Sequence, residues 1–224
     1  MTYGADAIYA DRVDAGRVLA RLLSNFRATP GALVLALPRG GVPIGFEIAQ
    51  LLNLPLDVLI VRKLGVPGEE ELAMGAIASG GLVVLNQDVI RLLHLSAEDI
   101  ERVIERERIE IARREQQFRG DRPAPDVRDR VVILVDDGLA TGATMRAAAQ
   151  TVRARSPERL IVAVPVGSEE TCAELQADAD QVICAATPLR FSAVGAYYRS
   201  FPQTTDEEVR ELLAASHSLI SENR

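Results

Sequence analysis

Two adjacent carboxylates, Asp136 and Asp137, follow an apolar run and precede a stretch of Gly and Thr in VVILVDDGLATGAT (131–144). A helix beginning near Gly142 would present free backbone amides, and the neighbouring Thr hydroxyls add donors, so this stretch can bind a phosphate. The two aspartates would repel that phosphate, and their natural partners are vicinal hydroxyls, a divalent metal or a developing positive charge. Phosphate on one side, with hydroxyls and a cation on the other, describes a ribose 5-phosphate that reacts at its anomeric carbon.

Basic residues follow two other apolar runs, since PRGG comes directly after ALVLAL and RKLG directly after PLDVLIV. Ligands of open parallel sheets bind beyond the carboxyl ends of the strands, where these segments would meet the two aspartates. A second anion site would then be formed by Arg39, Gly40, Gly41, Arg62 and Lys63. Two phosphate sites that flank a sugar suggest a pyrophosphorylated ribose. The chain contains no GxxxxGK(S/T) sequence, so neither site is a Walker loop.

Apolar runs that alternate with helical patterns would position these residues. Because each run is apolar on both faces, the predicted fold is α/β with a doubly wound parallel sheet that is covered on both sides. The predicted strands are 32–37, 55–61, 130–135, 159–166 and 181–186, and the helices between the later ones are 143–155 and 168–177.

Three further segments lie between these strands. MGAIASGGLVVLN (74–86) predicts a hairpin around Gly80 and Gly81, and GVPGEEELA (65–73) reads as a short acidic loop. The segment 96–120, from a Ser cap to a Gly stop, predicts a long amphipathic helix. Its many charges are typical of a solvated helix face, and a dimer contact or a cover over the site are the alternatives.

The chain of 224 residues is predicted to form a single domain, 1–224. Its core would span about 30–186, and the segments 1–29 and 187–224 would form a small hood subdomain. The tail holds a group of aromatic residues that read as the packing core of the hood or, alternatively, as a platform on which a base stacks. These residues are Phe191, Tyr197, Tyr198 and Phe201.

Composition and charge restrict the function classes. The formal net charge of -7 leaves no broad positive footprint, so nucleic acid is not an expected partner. No apolar run approaches the roughly 20 residues of a membrane-spanning helix, and the polar N-terminal residues do not resemble a signal peptide. Cys172 and Cys184 show no CxxC pattern and are expected to be buried apolar groups rather than disulfide or zinc ligands. These features predict a soluble, cytoplasmic protein that binds a small molecule.

The stretch VVILVDDGLATGAT resembles the phosphoribosyl-pyrophosphate motif of type I phosphoribosyltransferases, in which two acids and a Thr/Gly phosphate loop follow a hydrophobic strand. The resemblance covers about 35–185, the Rossmann-like core of that fold. DDGLATGAT is similar to the adenine phosphoribosyltransferase version of the motif. RKLGVPGEEELAMGAI and the FxAVGxYYxxF pattern near the end look most like a bacterial group of phosphoribosyltransferases of uncharacterised acceptor specificity.

The resemblance implies a role for each candidate residue. Asp136 and Asp137 would bind the ribose 2- and 3-hydroxyls. The residues that would hold the 5-phosphate are Ala140, Thr141, Gly142, Ala143 and Thr144. The residues that would bind the pyrophosphate are Arg39, Gly40, Gly41, Arg62 and Lys63.

The activity implied by the resemblance is Mg²⁺-dependent displacement of pyrophosphate by a nitrogen acceptor such as a nucleobase. Asp136, Asp137 and Lys63 are the expected catalytic residues, because carboxylates stabilise the cationic sugar and a lysine helps the leaving pyrophosphate. Mg²⁺ would be held largely by the oxygens of the substrate, with the two aspartates as candidate ligands. The resemblance also implies a homodimer.

One segment departs from the family pattern. The loop that closes over the site in the family often carries Lys, Arg or His, whereas here it carries Glu69, Glu70 and Glu71. These glutamates read as a solvated loop tip or, alternatively, as groups that orient a base or select a cationic acceptor. A non-catalytic sensor of phosphoribosyl pyrophosphate or of a nucleotide, built on the same fold, therefore stays open beside the enzyme.

Overall fold

The computed structural model describes residues 7–222. The strands among them, in chain order, are β1 (Leu33–Ala36), β2 (Leu56–Val58), β3 (Val61–Val66), β4 (Glu69–Ala78), β5 (Val83–Leu85), β6 (Val131–Val135), β7 (Arg159–Val166) and β8 (Gln181–Ala186). The α-helices are α1 (Arg12–Leu22), α2 (Gly41–Leu52), α3 (Gln87–Leu92), α4 (Ala97–Arg119), α5 (Ala143–Arg153), α6 (Glu169–Glu174) and α7 (Asp206–Glu222).

Five of these strands form a parallel sheet in the order β2-β1-β6-β7-β8. Successive residues of β1 belong to two separate hydrophobic cores, one on each face, as Val34 and Leu35 show. The predicted α/β fold with a doubly wound parallel sheet is thus confirmed. Since Ala36 at the end of β1 lies opposite Val135 at the end of β6, the loops that follow these two strands meet at one edge of the sheet.

A second, antiparallel sheet in the order β3-β4-β5 lies between β2 and α3 in the chain. The prediction of a single strand over 55–61 is wrong, because β2 ends at Val58 and β3 begins at Val61 in the other sheet. Between them, the amide of Ile60 donates to the Ser79 hydroxyl at 3.1 Å. The segment is apolar almost throughout, so composition alone does not mark the break.

Of the two predictions for the turns of this second sheet, one is confirmed and one is wrong. Gly80 and Gly81 join β4 to β5 with φ of 85° and 78°, which confirms the hairpin. The acidic loop predicted over 65–73 is instead mostly strand, and a turn at 67–68 alone separates β3 from β4. Consecutive glutamates disfavour a strand, and pairing with β3 overrides that local preference.

The long helix predicted over 96–120 is confirmed as α4. The Ser96 hydroxyl accepts from the Asp99 amide at 3.1 Å, and Gly120 ends the helix with φ of 60°. In the last turn the buried Arg119 donates to Asp57 of β2 at 2.7 Å, so this end of α4 is fixed against the parallel sheet. Among residues 7–222, no helix is both long and apolar enough to cross a membrane.

The two segments predicted to form a hood contact each other. Tyr9 and Tyr198 form an isolated parallel bridge, and their ring centroids are 5.5 Å apart. The Tyr9 hydroxyl donates to the carbonyl of Pro165 at 2.8 Å, and the Tyr198 hydroxyl donates to the carbonyl of Asp137 at 2.7 Å. Both segments are therefore tied to the carboxyl edge of the parallel sheet, where the candidate residues lie.

Cys172 of α6 and Cys184 of β8 form a disulfide. The prediction that they are unlinked apolar groups is wrong. The absence of a CxxC pattern suggested no pairing, but α6 and the short 3₁₀ turn after it lead the chain straight back to the edge strand β8 within the 12 residues between the cysteines. The disulfide lies close to the end of β7, since a Cβ on Gly167 would be 2.9 Å from the Cys172 sulfur.

Reduction of this disulfide is expected to lower the free energy of unfolding by about 3 kcal/mol, because the unfolded chain regains the entropy of a short closed loop. Urea unfolding with and without dithiothreitol measures the effect. The double variant Cys172→Ser/Cys184→Ser serves as the control and should show the lower stability under both conditions. Equal stability of the oxidised and reduced wild type would contradict the prediction.

Candidate functional site

The loop between β6 and α5 has the features of an anion site. α5 begins after Gly142, whose φ is 68°, and a Cβ there would lie 2.6 Å from the Thr171 side chain. Glycine provides no capping side chain, and the Thr141 hydroxyl lies 3.5 Å from the amide of Ala143. Backbone amides and this hydroxyl can therefore bind the same anion at the start of an 11-residue helix. Thr144 is exposed one residue further on.

The paired aspartates lie immediately before this loop, and Asp137 has a partner that sequence reasoning missed. The Nε and Nη2 of Arg12 donate to one Asp137 oxygen at 3.0 and 2.8 Å. Arg12 also donates to the carbonyl of Pro202 at 2.6 Å and lies 3.8 Å from the centre of the Phe201 ring. An arginine 125 residues away in sequence, at the start of α1, carries no motif that could have predicted this contact.

The environment raises the pKa of both carboxyl groups. Burial raises the pKa of Asp136 well above its usual value, and the neighbouring charge of Asp137 raises it further. The pKa of Asp137 is also raised by burial, whereas its bonds to Arg12 lower it. The Asp137 amide donates to the Asp136 carboxylate at 2.8 Å. The two carboxyl groups are poorly solvated. They would therefore interact strongly with a ligand that brings hydroxyl donors or positive charge to them.

The described residues fit a Mg²⁺ ion that is carried mainly by a ligand. Within 7–222, no group of three or more His, Cys, Asp or Glu side chains is placed to hold a metal. Asp136 and Asp137 are two carboxylates, and one oxygen of Asp137 already accepts from Arg12. Two carboxylates suit Mg²⁺, which keeps several waters and is commonly bound through one or two carboxylates together with substrate phosphates.

The glycines after β1 allow its loop to approach the loop after β6. A Cβ on Gly40 would lie 2.0 Å from an Asp137 oxygen, and a Cβ on Gly41 would lie 2.6 Å from the carbonyl of Val135. The peptide bond between Pro38 and Arg39 is cis, and the Arg39 guanidinium lies 3.5 Å from Asp206. The structure thus brings Gly40 and Gly41 to the loop of the aspartates, as expected from the strand order, whereas the Arg39 guanidinium lies at Asp206 at the start of α7.

Arg62 and Lys63 do not join Arg39 in one cavity. The Nε of Arg62 donates to the buried Glu107 of α4 at 2.8 Å. Lys63 is exposed and lines a cavity of about 630 Å³ that Ala143, at the start of α5, also lines. Lys63 is therefore placed beside the phosphate loop, whereas Arg62 is held by a carboxylate on the neighbouring helix.

The aromatic tail packs against the residue that follows the aspartates. A Cβ on Gly138 would be 2.6 Å from the Val194 side chain, so this tail packs directly on the β6–α5 loop. Phe191 stacks on Tyr197 with centroids 5.5 Å apart. Phe191 also lines a cavity of about 440 Å³ together with Glu169 and Glu170 at the start of α6.

Residues 6–199 match the family model of the phosphoribosyl transferase domain. The chain belongs to the phosphoribosyl transferase family. The resemblance read from VVILVDDGLATGAT is thereby confirmed, and the match includes the β6–α5 loop and every strand of the parallel sheet. α7 begins beyond the matched residues.

Relatives in two bacteria resemble this phosphoribosyl transferase domain over most of its length. Two Mycobacterium tuberculosis proteins, from strains CDC 1551 / Oshkosh and H37Rv, are provisionally named as phosphoribosyl transferases and are 47% identical over 210 residues. These residues are 94% of the chain and 47% of each relative, so the chain spans about half the length of these curated relatives. The crystal structure of TT1426 from Thermus thermophilus superposes with a TM-score of 0.83 at 42% identity, covering 92% of this chain and 98% of that one.

Proposed function

We propose that the protein transfers ribose 5-phosphate from phosphoribosyl pyrophosphate to a nitrogen acceptor, with Mg²⁺, and releases pyrophosphate. One observation carries the proposal: the β6–α5 loop joins two poorly solvated carboxylates directly to an anion-binding helix start. A ribose 5-phosphate presents a phosphate to the helix start and vicinal hydroxyls to the carboxylates.

Each residue of the site has a role in the proposed reaction. Ala140, Thr141, Gly142, Ala143 and Thr144 hold the 5-phosphate, and Asp136 and Asp137 accept hydrogen bonds from the ribose hydroxyls. The loop after β1 binds the pyrophosphate. Lys63, which lies beside the start of α5, would have to move toward that loop to help the leaving group. When bound, Mg²⁺ supplies positive charge that neutralises the pyrophosphate oxygens.

The carboxylates are suited to the bond-breaking step of the proposed reaction. The bond from the anomeric carbon to pyrophosphate lengthens before the acceptor nitrogen attacks, and positive charge develops on the sugar. Asp136 and Asp137 stabilise that charge, since their burial weakens the competing solvation by water. Arg12 favours the ionised form of Asp137, because its bonds lower the pKa of that carboxyl against the larger effect of burial.

The acceptor would enter from the cavity lined by Phe191. Its ring can stack on a planar nitrogen heterocycle, and the nearby Glu169 and Glu170 can accept hydrogen bonds from ring or exocyclic N–H groups. The cavity is next to the sugar site, because Gly167, which precedes the loop into α6, pairs with Leu139. A nucleobase or a related heterocycle with N–H donors therefore suits this cavity.

A sensor of phosphoribosyl pyrophosphate is the second candidate. Glu69, Glu70 and Glu71 at the exposed start of β4 occupy the place of the basic residues that the family uses to close over the leaving group. Acidic residues there would repel pyrophosphate rather than help it leave. The same pocket would then bind the activated sugar and report its presence without transfer.

Calorimetric titration with phosphoribosyl pyrophosphate and Mg²⁺ tests the binding step. The double variant Asp136→Asn/Asp137→Asn is expected to bind at least about a hundredfold more weakly, since two charge-assisted hydrogen-bond partners are lost. Asp88→Asn/Asp121→Asn, which alters two exposed aspartates, is the matched control and should bind like the wild type.

Pyrophosphate release against a panel of heterocyclic bases then separates the two candidates. Release that is triggered by one base supports the enzyme and identifies its acceptor. Tight binding without release from any base favours the sensor. Failure of the wild type to bind phosphoribosyl pyrophosphate would overturn both.

A further inference from the structure

A polar cavity of about 360 Å³ lies beside the loop after β1. Pro38 and Arg39 line it from that loop, and Asp206 lines it from the start of α7. The remaining wall is one face of α4, which contributes two adjacent arginines, Arg113 and Arg114, among its lining residues. Three guanidinium groups from two distant parts of the chain therefore surround one cavity next to the candidate sugar site.

The position of α4 fixes this arrangement. Phe118, one turn beyond Arg114, is buried in the core, and Arg119 is bonded to Asp57 of the parallel sheet. Gln117 points to the same cavity and donates to Asp206 at 2.8 Å. Because this end of the helix is anchored, the arginines are presented to the β1 loop at low entropic cost.

The arginines retain hydrogen-bond donors for a ligand. Arg39 lies 3.5 Å from Asp206, and its side chain makes no hydrogen bond within residues 7–222. Arg114 donates through its Nε to Glu110, and in the described chain its two terminal amino groups make no hydrogen bond. Arg113 donates to the same Glu110 through two nitrogens, at 2.8 and 2.9 Å, and its Nη1 donates to Gln117 at 3.4 Å. Arg113 therefore contributes mainly positive charge, and the donors open to a ligand are those of Arg39 and Arg114.

The charges around the cavity leave an excess of positive charge. Three guanidiniums face two carboxylates, Glu110 on the α4 wall and Asp206 at the start of α7. Glu110 accepts from both arginines of α4 through the same oxygen, so the two guanidiniums lie side by side at the cavity wall. Asp206 is the carboxylate closest to Arg39 and would compete with an incoming anion for that guanidinium.

We infer that Arg39, Arg113 and Arg114 form a binding site for a pyrophosphate-class anion, with Asp206 as its internal competitor. In this arrangement α4 extends the pyrophosphate site beyond the β1 loop, and α7 controls access to it. That the bound anion is the leaving group of a transfer reaction rests on the proposed function. Binding of the anion itself depends on these side chains alone.

Calorimetric titration of the full chain with inorganic pyrophosphate tests the inference. Arg113→Gln/Arg114→Gln is expected to bind at least about tenfold more weakly, because two positive charges and the charge-assisted donors of Arg114 are lost. Asp206→Asn is expected to bind several-fold more tightly, because the competing carboxylate is removed and Gln117 keeps an amide oxygen as partner. Far-ultraviolet circular dichroism establishes that both variants retain their helices.

A second double variant on the same helix controls for net charge. Arg102→Gln/Arg108→Gln removes two exposed arginines whose partners are glutamates and an aspartate on the same helix, away from the cavity. It should bind pyrophosphate within about twofold of the wild type at moderate salt, where long-range effects are screened. An equal loss in both double variants would overturn the inference, as would unchanged binding in Arg113→Gln/Arg114→Gln or no binding by the wild type.

The outcome is separable from that of the proposed function. Pyrophosphate binding that depends on Arg113 and Arg114, without any binding of phosphoribosyl pyrophosphate, supports the anion site and overturns the transferase. Binding of phosphoribosyl pyrophosphate that depends on Asp136 and Asp137, but not on the α4 arginines, supports the transferase and overturns the α4 site.

Discussion

Asp136→Asn is expected to be more stable than the wild type at neutral pH and, at the same time, to lose most of its affinity for phosphoribosyl pyrophosphate. Burial and the adjacent charge of Asp137 raise the pKa of Asp136, so the ionised carboxyl opposes folding. Asparagine has the same shape, carries no charge and can still accept from the Asp137 amide, which lies 2.8 Å from the carboxylate. We expect the free energy of unfolding to rise by about 1–2 kcal/mol.

The pH dependence of this gain follows from the direction of the pKa shift. A group whose pKa is raised on folding stabilises the native state fully below its unfolded pKa, near about 3.9 for aspartate, and loses that contribution as pH rises through its folded pKa. The free energy of unfolding of the wild type therefore falls between the unfolded and the folded pKa of Asp136, whereas that of Asp136→Asn does not change for this reason. Urea unfolding should show the two proteins converging toward pH 4 and separating at pH 7.

The exposed substitution Asp88→Asn is a suitable control for this comparison, since Asp88 contacts Arg91 on the surface of α3. It should change stability by less than about 0.5 kcal/mol at either pH. A fall in the stability of Asp136→Asn at pH 7 would show that the carboxylate is compensated in the folded protein. The reasoning from burial would then be wrong, whatever the effect on binding.

A gain in stability that accompanies a loss of binding has a direct functional meaning. Two adjacent, partly buried carboxylates are unfavourable in the empty protein, and in the proposed function a sugar hydroxyl or a developing positive charge relieves that cost on binding. The repulsion and desolvation that destabilise Asp136 and Asp137 in the empty protein thus make the bound and reacting states more favourable relative to it. The same argument applies to a sensor, in which the relief would favour binding alone.

The parts of the fold that sequence could predict are those governed by local composition. Four strands of the parallel sheet, β1, β6, β7 and β8, are apolar runs of strand length, and α4 runs from a Ser cap to a Gly stop, so pattern alone identified them. The division of 55–61 between two sheets was not predictable, because apolar residues continue across the break from Val58 to Val61. The glutamates of β4 read as a loop, since their partner strand is decided by the tertiary fold.

The candidate site divides in the same way. Asp136, Asp137 and Gly142 were predictable because the motif is continuous in sequence and its chemistry is local. Arg12 was not, because it reaches Asp137 across 125 residues and depends on how α1 packs. Cys172 and Cys184 were misread for a related reason, since a return of the chain from α6 to β8 brings them together. Contacts set by packing leave little trace in one sequence.

Arg12→Gln is expected to weaken the binding of phosphoribosyl pyrophosphate by about a hundredfold, and to lower the free energy of unfolding by about 3 kcal/mol, because a partly buried carboxylate loses its partner. Arg12 bonds one Asp137 oxygen through two nitrogens, which lowers the pKa of that carboxyl and fixes its direction. Without the guanidinium, the pKa of Asp137 rises further. The affinity of the variant should therefore recover partly as pH increases.

This pH profile distinguishes a positioning role for Arg12 from loss of stability alone. Arg12→Lys keeps the positive charge without the forked geometry of the guanidinium. Its affinity for phosphoribosyl pyrophosphate should depend on pH much as that of the wild type does, but should stay weaker than the wild-type affinity. Arg21→Gln, with the same charge change on the exposed face of α1, should match the wild type in both measurements. Tighter binding by Arg12→Gln would instead show that Arg12 competes with the sugar for Asp137. α1 would then be a cover that the ligand must displace, and Asp137 would be free for the ribose hydroxyls only after that displacement.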